Sequence, residues 1–143
     1  KGPELEIFNR YLLRLENIGN SINLFPIEVD QFDDFQWKRK FLDKKFLDRH
    51  LKENYRFLLD EKGQNITSKR FAKKICHIRD EGYREALFFI GGARGFPARS
   101  GETFNEKICF GSMVWPHMLV RLMLMEQLYR ASTIIAGLPY HKE

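Results

Sequence analysis

Four stretches of this sequence combine residue types that could hold or transform a ligand. Leu59-Asp60 closes one apolar run, Ile90-Gly91-Gly92 closes a second, and Gly111-Ser112-Met113 follows a third. In an open α/β sheet, ligands bind at the carboxyl ends of the strands. Glycine at such an end lets the backbone approach a ligand closely and adopt positive φ. The same glycines also suit plain strand-to-helix turns, so no single pair decides the matter. The fourth stretch is the C-terminal one. Glu126 and Arg130 stand four residues apart, a spacing at which a helix brings them together. By spacing alone this is an ordinary surface ion pair, contributing well under about 1 kcal/mol. The terminus Gly137-Leu138-Pro139-Tyr140-His141-Lys142-Glu143 adds an aromatic ring, an imidazole and a cation. Chain ends fray unless tied down, and a histidine near its neutral titration range is a candidate acid or base.

Several familiar chemistries are excluded by spacing. The Gly91 loop lacks G-x-G-x-x-G, and about 20 residues onward stands Gly111 instead of an acidic ribose ligand. No G-x-x-x-x-G-K-[ST] occurs, which removes a P-loop. His50, His77, His117 and His141 form no H-E-x-x-H, and no C-x-x-C is present, so no metal site is expected. A serine hydrolase lacks its G-x-S-x-G elbow.

The elements that position these stretches follow from periodicity. Leu5, Phe8, Leu12 and Leu15 predict an amphipathic helix over 4–15, beginning after Pro3. Asn17-Ile18-Gly19-Asn20 predicts a turn, and 22–29 a strand. Residues 36–53 predict a basic helix with Phe41, Leu42, Phe46, Leu47 and Leu51 inward. Its other face carries Lys38, Arg39, Lys40, Lys44, Lys45 and Arg49, either a solvated face or one that tracks phosphates. Tyr55–Leu59 predicts a strand that stops at Asp60-Glu61-Lys62-Gly63. Thr67 or Ser68 then caps a helix carrying Phe71, Ile75 and Ile78. Leu87–Ile90 predicts a buried parallel strand, and Ile108–Phe110 a short one. Pro116 opens a long helix that ends near Gly137. Met113, Trp115, Met118, Met123 and Met125 are expected to be ordinary core packing rather than a peptide groove. Alternating strands and helices make this an α/β chain with a mainly parallel sheet, and residues 1–143 read as one domain.

Composition agrees with that class. Hydrophobic residues make up 43% and charged residues 30%, which suits a globular rather than a disordered chain. A net charge of +5 and a pI of about 9.3 favour polyanionic partners, because cations that neutralise phosphates release counterions. Cys76 and Cys109 are too few for a disulfide framework, which points to a reducing, cytoplasmic setting. No apolar run nears the roughly 20 residues of a membrane span. The opening Lys1-Gly2-Pro3-Glu4 does not read as a signal peptide.

Taken together, Leu58-Leu59-Asp60-Glu61-Lys62-Gly63, Phe89-Ile90-Gly91-Gly92-Ala93-Arg94-Gly95, Pro116-His117, Glu126-Gln127-Leu128-Tyr129-Arg130-Ala131 and Pro139-Tyr140-His141 occur in an order that resembles the ribosomal RNA large subunit methyltransferase H family of the SPOUT superfamily. The resemblance covers nearly the whole chain and is strongest after residue 55. It implies an α/β fold with a C-terminal trefoil knot and a homodimer whose active site uses both subunits. It also implies a site for S-adenosylmethionine and methyl transfer to N3 of a pseudouridine in 23S ribosomal RNA of the assembled ribosome. By position, Leu59, Gly91, Gly92 and the segment Phe110, Gly111, Ser112, Met113, Val114 and Trp115 would hold the cofactor. Methyl transfer needs alignment above all, and the imide nitrogen must lose a proton. On that basis Arg130 is expected to supply positive charge, His141 to act as a base, and Tyr140 to position the base or the tail. Two departures stand out. Family members begin with a β-strand ending in a Val-Gly-Lys-like turn, whereas this sequence begins at the following helix. The cofactor segment reads Phe-Gly-Ser-Met-Val-Trp where the family has a Ser/Leu/Thr-rich version. The competing reading is a non-catalytic RNA- or ribosome-binding protein with the same fold.

Overall fold

A computed structural model describes residues 2–24, 53–91 and 104–142. Among the described residues the sheet has three strands, β1 (Asn54–Asn65), β2 (Glu85–Ile90) and β3 (Glu106–Cys109), in the order β2-β1-β3 and all parallel. Three α-helices accompany it: α1 (Pro3–Gly19), α2 (Ser68–Asp80) and α3 (His117–Ala136). Parallel neighbours require crossovers, and α2 supplies the one between β1 and β2. The expected α/β class and parallel sheet are therefore present.

The core lies between the sheet and α2. Phe57 on β1 stacks on Phe88 of β2 at 4.7 Å, and Phe71 of α2 meets both rings edge-on at 6.2 and 6.0 Å. Ala72, Ile75 and Ile78 continue the same helix face inward. Each large apolar side chain buried this way is worth about 1.5–3 kcal/mol. Thr67 caps α2, its Oγ1 accepting from the Arg70 N–H at 3.1 Å. Helix α3 serves two clusters. Leu124 and Ala131 join the sheet core, while Met125 packs with Phe8 and Leu15 of α1. A helix wedged between two partners has no single apolar stripe, and α3 is correspondingly apolar on more than one side.

Four expectations need correction. Asn17, Ile18 and Gly19, read as part of a turn, complete the last turn of α1. Ile22, placed at the start of a strand, lies in a 3₁₀ turn (Asn20–Ile22), after which Asn23 adopts positive φ of 58°. Residues 25–29 of that strand and the basic helix to Lys52 lie outside the described residues. Glu53, the last residue given to that helix, sits in a turn. Strand β1 does not stop at Asp60. It leaves the ladder after Leu59, which pairs with Ile108, and rejoins it at Gln64, which pairs with the same residue. The excursion is tight because the Asp60 side chain accepts from the Lys62 N–H at 3.1 Å. A Cβ on Gly63 would lie 2.6 Å from the Ile108 backbone, so glycine permits the close return. The turn residues thus mark a break in the pairing rather than the end of the strand.

Candidate active site

The sheet register brings the predicted strand ends together. Leu59 is paired with Ile90 on one side and with Ile108 on the other. Gly91 follows Ile90 directly, and Phe110 follows the last residue of β3. Leu59, the last β1 residue before the excursion, therefore lies level with Ile90 and Ile108, while Gly91 and Phe110 stand just past the carboxyl ends of β2 and β3. Gly92 lies outside the described residues.

From Phe110 the chain turns on Gly111, whose φ of +92° is one that L side chains rarely adopt. Space beyond its Cα is open. Ser112, Met113, Val114 and Trp115 are all exposed, with Met113 at 72% and Val114 at 78%. The expectation that Met113 and Trp115 belong to the core thus fails, while Met125 is buried as expected. The Trp115 indole N–H donates to the Phe110 carbonyl at 3.1 Å, closing the turn on itself. The result is a shaped turn with apolar side chains facing solvent, suited to a flat and partly apolar ligand.

The C-terminal residues assemble a second group. The backbone ends α3 at Gly137, with φ of +73° and Leu138 N–H donating to the Thr133 carbonyl at 2.9 Å. This reversal sends the tail back along the helix. Glu126 grips Arg130 with both oxygens, at 3.1 Å to Nε and 2.8 Å to Nη2. The fork is the geometry that makes Arg–carboxylate pairs directional. Tyr140 donates to Glu126 Oε2 at 3.0 Å, and its ring lies 4.9 Å from the guanidinium carbon. Arg130 Nη1 then reaches His141 Nδ1 at 3.0 Å. Arg130, Tyr140 and His141, singled out in the sequence, are therefore in mutual contact.

The protonation of this group can be reasoned out. The hydrogen bond from Arg130 to Glu126 is the main influence raising the guanidinium above its usual pKa, so it stays cationic. Burial, then hydrogen bonds with Tyr11 and Glu126, push the Tyr140 phenol upward, so it stays a donor. Arginine has no lone pair to offer, so His141 Nδ1 must accept. A neutral imidazole then carries its proton on Nε2. That nitrogen is buried and has no hydrogen-bond partner among the described residues, which is costly unless something completes it.

Two further participants escaped the sequence reading. Tyr11 of α1 reaches the Tyr140 hydroxyl at 3.4 Å and packs against Tyr129. It stands at stripe spacing with Phe8, Leu12 and Leu15, and a phenol there needs a polar partner. Gln127 donates to Glu126 Oε1 at 3.1 Å and accepts from Ser68 Oγ at 2.8 Å. This links the group to the start of α2, just beyond the carboxyl end of β1.

Comparison with known proteins identifies the family. The family model described as "Predicted SPOUT methyltransferase" matches residues 1–141. The chain is a member of the ribosomal RNA large subunit methyltransferase H family of SPOUT proteins. It is 40% identical to the protein of that name from Paracoccus denitrificans, over all of this chain and 92% of the relative. The protein from Cereibacter sphaeroides is 39% identical over 99% of this chain and 91% of its own length. That from Phenylobacterium zucineum is 38% identical over all of this chain and 92% of its own. Among the described residues no helix is long and apolar enough to cross a membrane, and no cluster of three or more His, Cys, Asp or Glu could hold a metal.

Proposed function

We propose that this protein methylates large-subunit ribosomal RNA with S-adenosylmethionine, and that its target is N3 of a pseudouridine in 23S RNA of the assembled ribosome. The observation that carries the reading is the folded-back tail. Tyr140 and His141 close over the Glu126–Arg130 pair and leave one buried imidazole nitrogen unmet. A tail held this way in a SPOUT family member is better explained by a substrate that completes it than by stability alone.

S-adenosylmethionine, when bound, supplies an electrophilic methyl group on a sulfonium. The turn Phe110–Trp115, with Leu59, Gly91 and Gly92, would hold it, and exposed Met113 and Val114 beside Gly111 offer apolar surface to the adenine. Arg130 would face the uracil-like ring as its imide proton passes to water, and favour the imidate through its charge. His141 has a more specific part. With Nδ1 receiving from Arg130, Nε2–H is a donor that can hold a base oxygen. Acting as the base would require His141 first to let go of Arg130, because an Nδ1–H and an Arg N–H would face each other. Tyr140 positions both through Glu126. The trefoil knot and a homodimer that shares the site belong to the same reading.

The test is transfer of labelled methyl from S-adenosylmethionine to large-subunit particles lacking the modification, with the labelled nucleotide identified after digestion. Label on N3 of a pseudouridine supports the proposal. Cofactor binding without transfer to any ribosomal RNA would overturn it. Tight RNA binding with no cofactor binding would favour the non-catalytic alternative.

A further inference from the structure

Away from the strand-end group, the most basic helix among the described residues is α2. The helix carries Lys69, Arg70, Lys73, Lys74 and Arg79 against the single acid Asp80, an excess nearly equal to the +5 of the whole chain. Arg70, Lys73, Lys74 and His77 recur at intervals of three and four, so they fall on one stripe. The opposite stripe, Phe71, Ala72, Ile75 and Ile78, is buried in the core. The cationic stripe is therefore obliged to face outward.

That stripe borders a cleft of about 380 Å³ whose other wall includes Tyr55 and Glu106. Glu106 takes Lys74 Nζ at 2.8 Å and the Tyr55 hydroxyl, so Lys74 is neutralised and held. His77 lies 3.4 Å from Glu81, with both side chains largely exposed. Arg70 and Lys73 are exposed and have no carboxylate partner among the described residues. Two unpaired cations thus stand beside a cleft whose own acid is already satisfied on one oxygen.

We propose that this stripe docks the sugar-phosphate backbone of a structured RNA, at a surface separate from the methyl-transfer site. From Arg70 to His77 the stripe runs about 10 Å, at a rise of about 1.5 Å per residue. Two unpaired cations one helical turn apart, Arg70 and Lys73, suit successive phosphates of a polyanion. The position of the stripe supports the same partner. Tyr55 and Glu106 stand at the amino ends of β1 and β3, whereas Leu59 lies about 13 Å farther along β1, at about 3.3 Å per residue. A substrate that spans both ends of the sheet gains affinity at one and chemistry at the other. Phosphate contacts of this kind orient an RNA without reading its sequence.

The inference rests on the reading that ribosomal RNA is the substrate, and the test separates the two. Binding of protein-free 23S RNA and of large-subunit particles is measured against salt for the wild type, for Arg70→Gln/Lys73→Gln, and for Arg10→Gln on α1 as a charge control. S-adenosylmethionine binding is measured in parallel. For the double variant, RNA affinity is expected to fall about tenfold near 0.1 M salt, and the slope of log K against log salt to shrink by about 1.5. Cofactor binding should stay within twofold, and Arg10→Gln should behave nearly as wild type. An unchanged slope with wild-type RNA affinity overturns the docking surface and leaves the methyltransferase reading intact. Loss on particles but not on free RNA overturns it in favour of an acidic protein contact. Failure of the wild type to bind either overturns both.

Discussion

The molecule uses one set of groups twice. At each end of the sheet region a carboxylate receives a tyrosine hydroxyl and a cation. Glu126 receives Tyr140 and Arg130, while Glu106 receives Tyr55 and Lys74. The difference lies in what each set joins. Glu106 begins β3, Tyr55 is near the start of β1, and Lys74 comes from α2, so that set ties three core elements together. Glu126 and Arg130 belong to one helix, and what they hold is the chain end. A helix needs no help from an i,i+4 pair to remain a helix once it is packed. The first set is built like a brace and the second like a seat for something that closes over it. The cations differ to match. Lysine gives Glu106 a point charge, whereas the arginine fork leaves Nη1 free to reach His141.

The sharpest way to break this contrast is Arg130→Ala. Methyl transfer should fall by about 100-fold or more in single turnover, as when a charge-stabilising donor is removed from other active sites. The unfolding midpoint should move little, and cofactor binding should persist. Arg130→Lys should rescue little, because an ammonium cannot hold both Glu126 oxygens and His141 together. A loss of folding in place of a loss of rate would place Arg130 with the braces.

The second prediction strikes the scaffold at its tightest point. Gly63→Ala puts a Cβ against the backbone of Ile108, which cannot swing aside as a flexible side chain would. A loss of about 1–3 kcal/mol in urea unfolding is expected from such overpacking. Because Leu59 is paired just before the excursion, cofactor affinity should weaken as well. Stability and affinity both equal to wild type would mean that the β1–β3 return is looser than its geometry requires.

The same residues show what could be read in the sequence. Thr67, Gly137 and the periodic stripes of α1 and α2 are local signals, and the elements they predict are present. The parallel order of β1 and β2 was legible too, since a continuous apolar strand after a helix has few other places to go. The excursion at Asp60–Gly63 was not. Its turn residues are local, but the return to β3 depends on a partner more than 40 residues away. Arg130, Tyr140 and His141 were legible as candidates, yet not as one hydrogen-bonded group. Eleven residues separate Arg130 from His141, and only the reversal at Gly137 closes that gap. Tyr11 was hidden by its own periodicity. The exposure of Met113 and Trp115 went against composition because the turn at Gly111 carries them off the core.

A smaller effect sharpens the distinction between brace and seat. Glu106→Gln keeps the shape of the side chain but removes the charge that Lys74 and Tyr55 share. A cost of about 1–2 kcal/mol is expected in unfolding, in the range for hydrogen bonds to charged groups. The methylation rate per folded molecule should be unchanged. A selective loss of rate would join the two sets functionally and dissolve the contrast.

The smallest effect is one of pH. Burial is the leading cause that raises both tyrosines, with hydrogen bonds to Glu106 for Tyr55 and to Tyr11 and Glu126 for Tyr140 behind it. A phenol raised in the folded state stabilises it fully below the unfolded value near 10, and the contribution fades as pH climbs toward the folded one. Between pH 7 and 9, then, neither tyrosine should cause any change in the urea midpoint. Above about pH 10 both sets begin to lose stability, but they should part company under mutation. Tyr55→Phe should flatten the alkaline fall in the unfolding midpoint, because that phenol braces the core. Tyr140→Phe should also remove part of that fall, and unlike Tyr55→Phe it should alter the alkaline limb of methyl transfer, because its phenol holds the tail. If Tyr140→Phe left the rate profile untouched, the tail would be one more brace, and the seat would have to be sought nearer the strand-end turn.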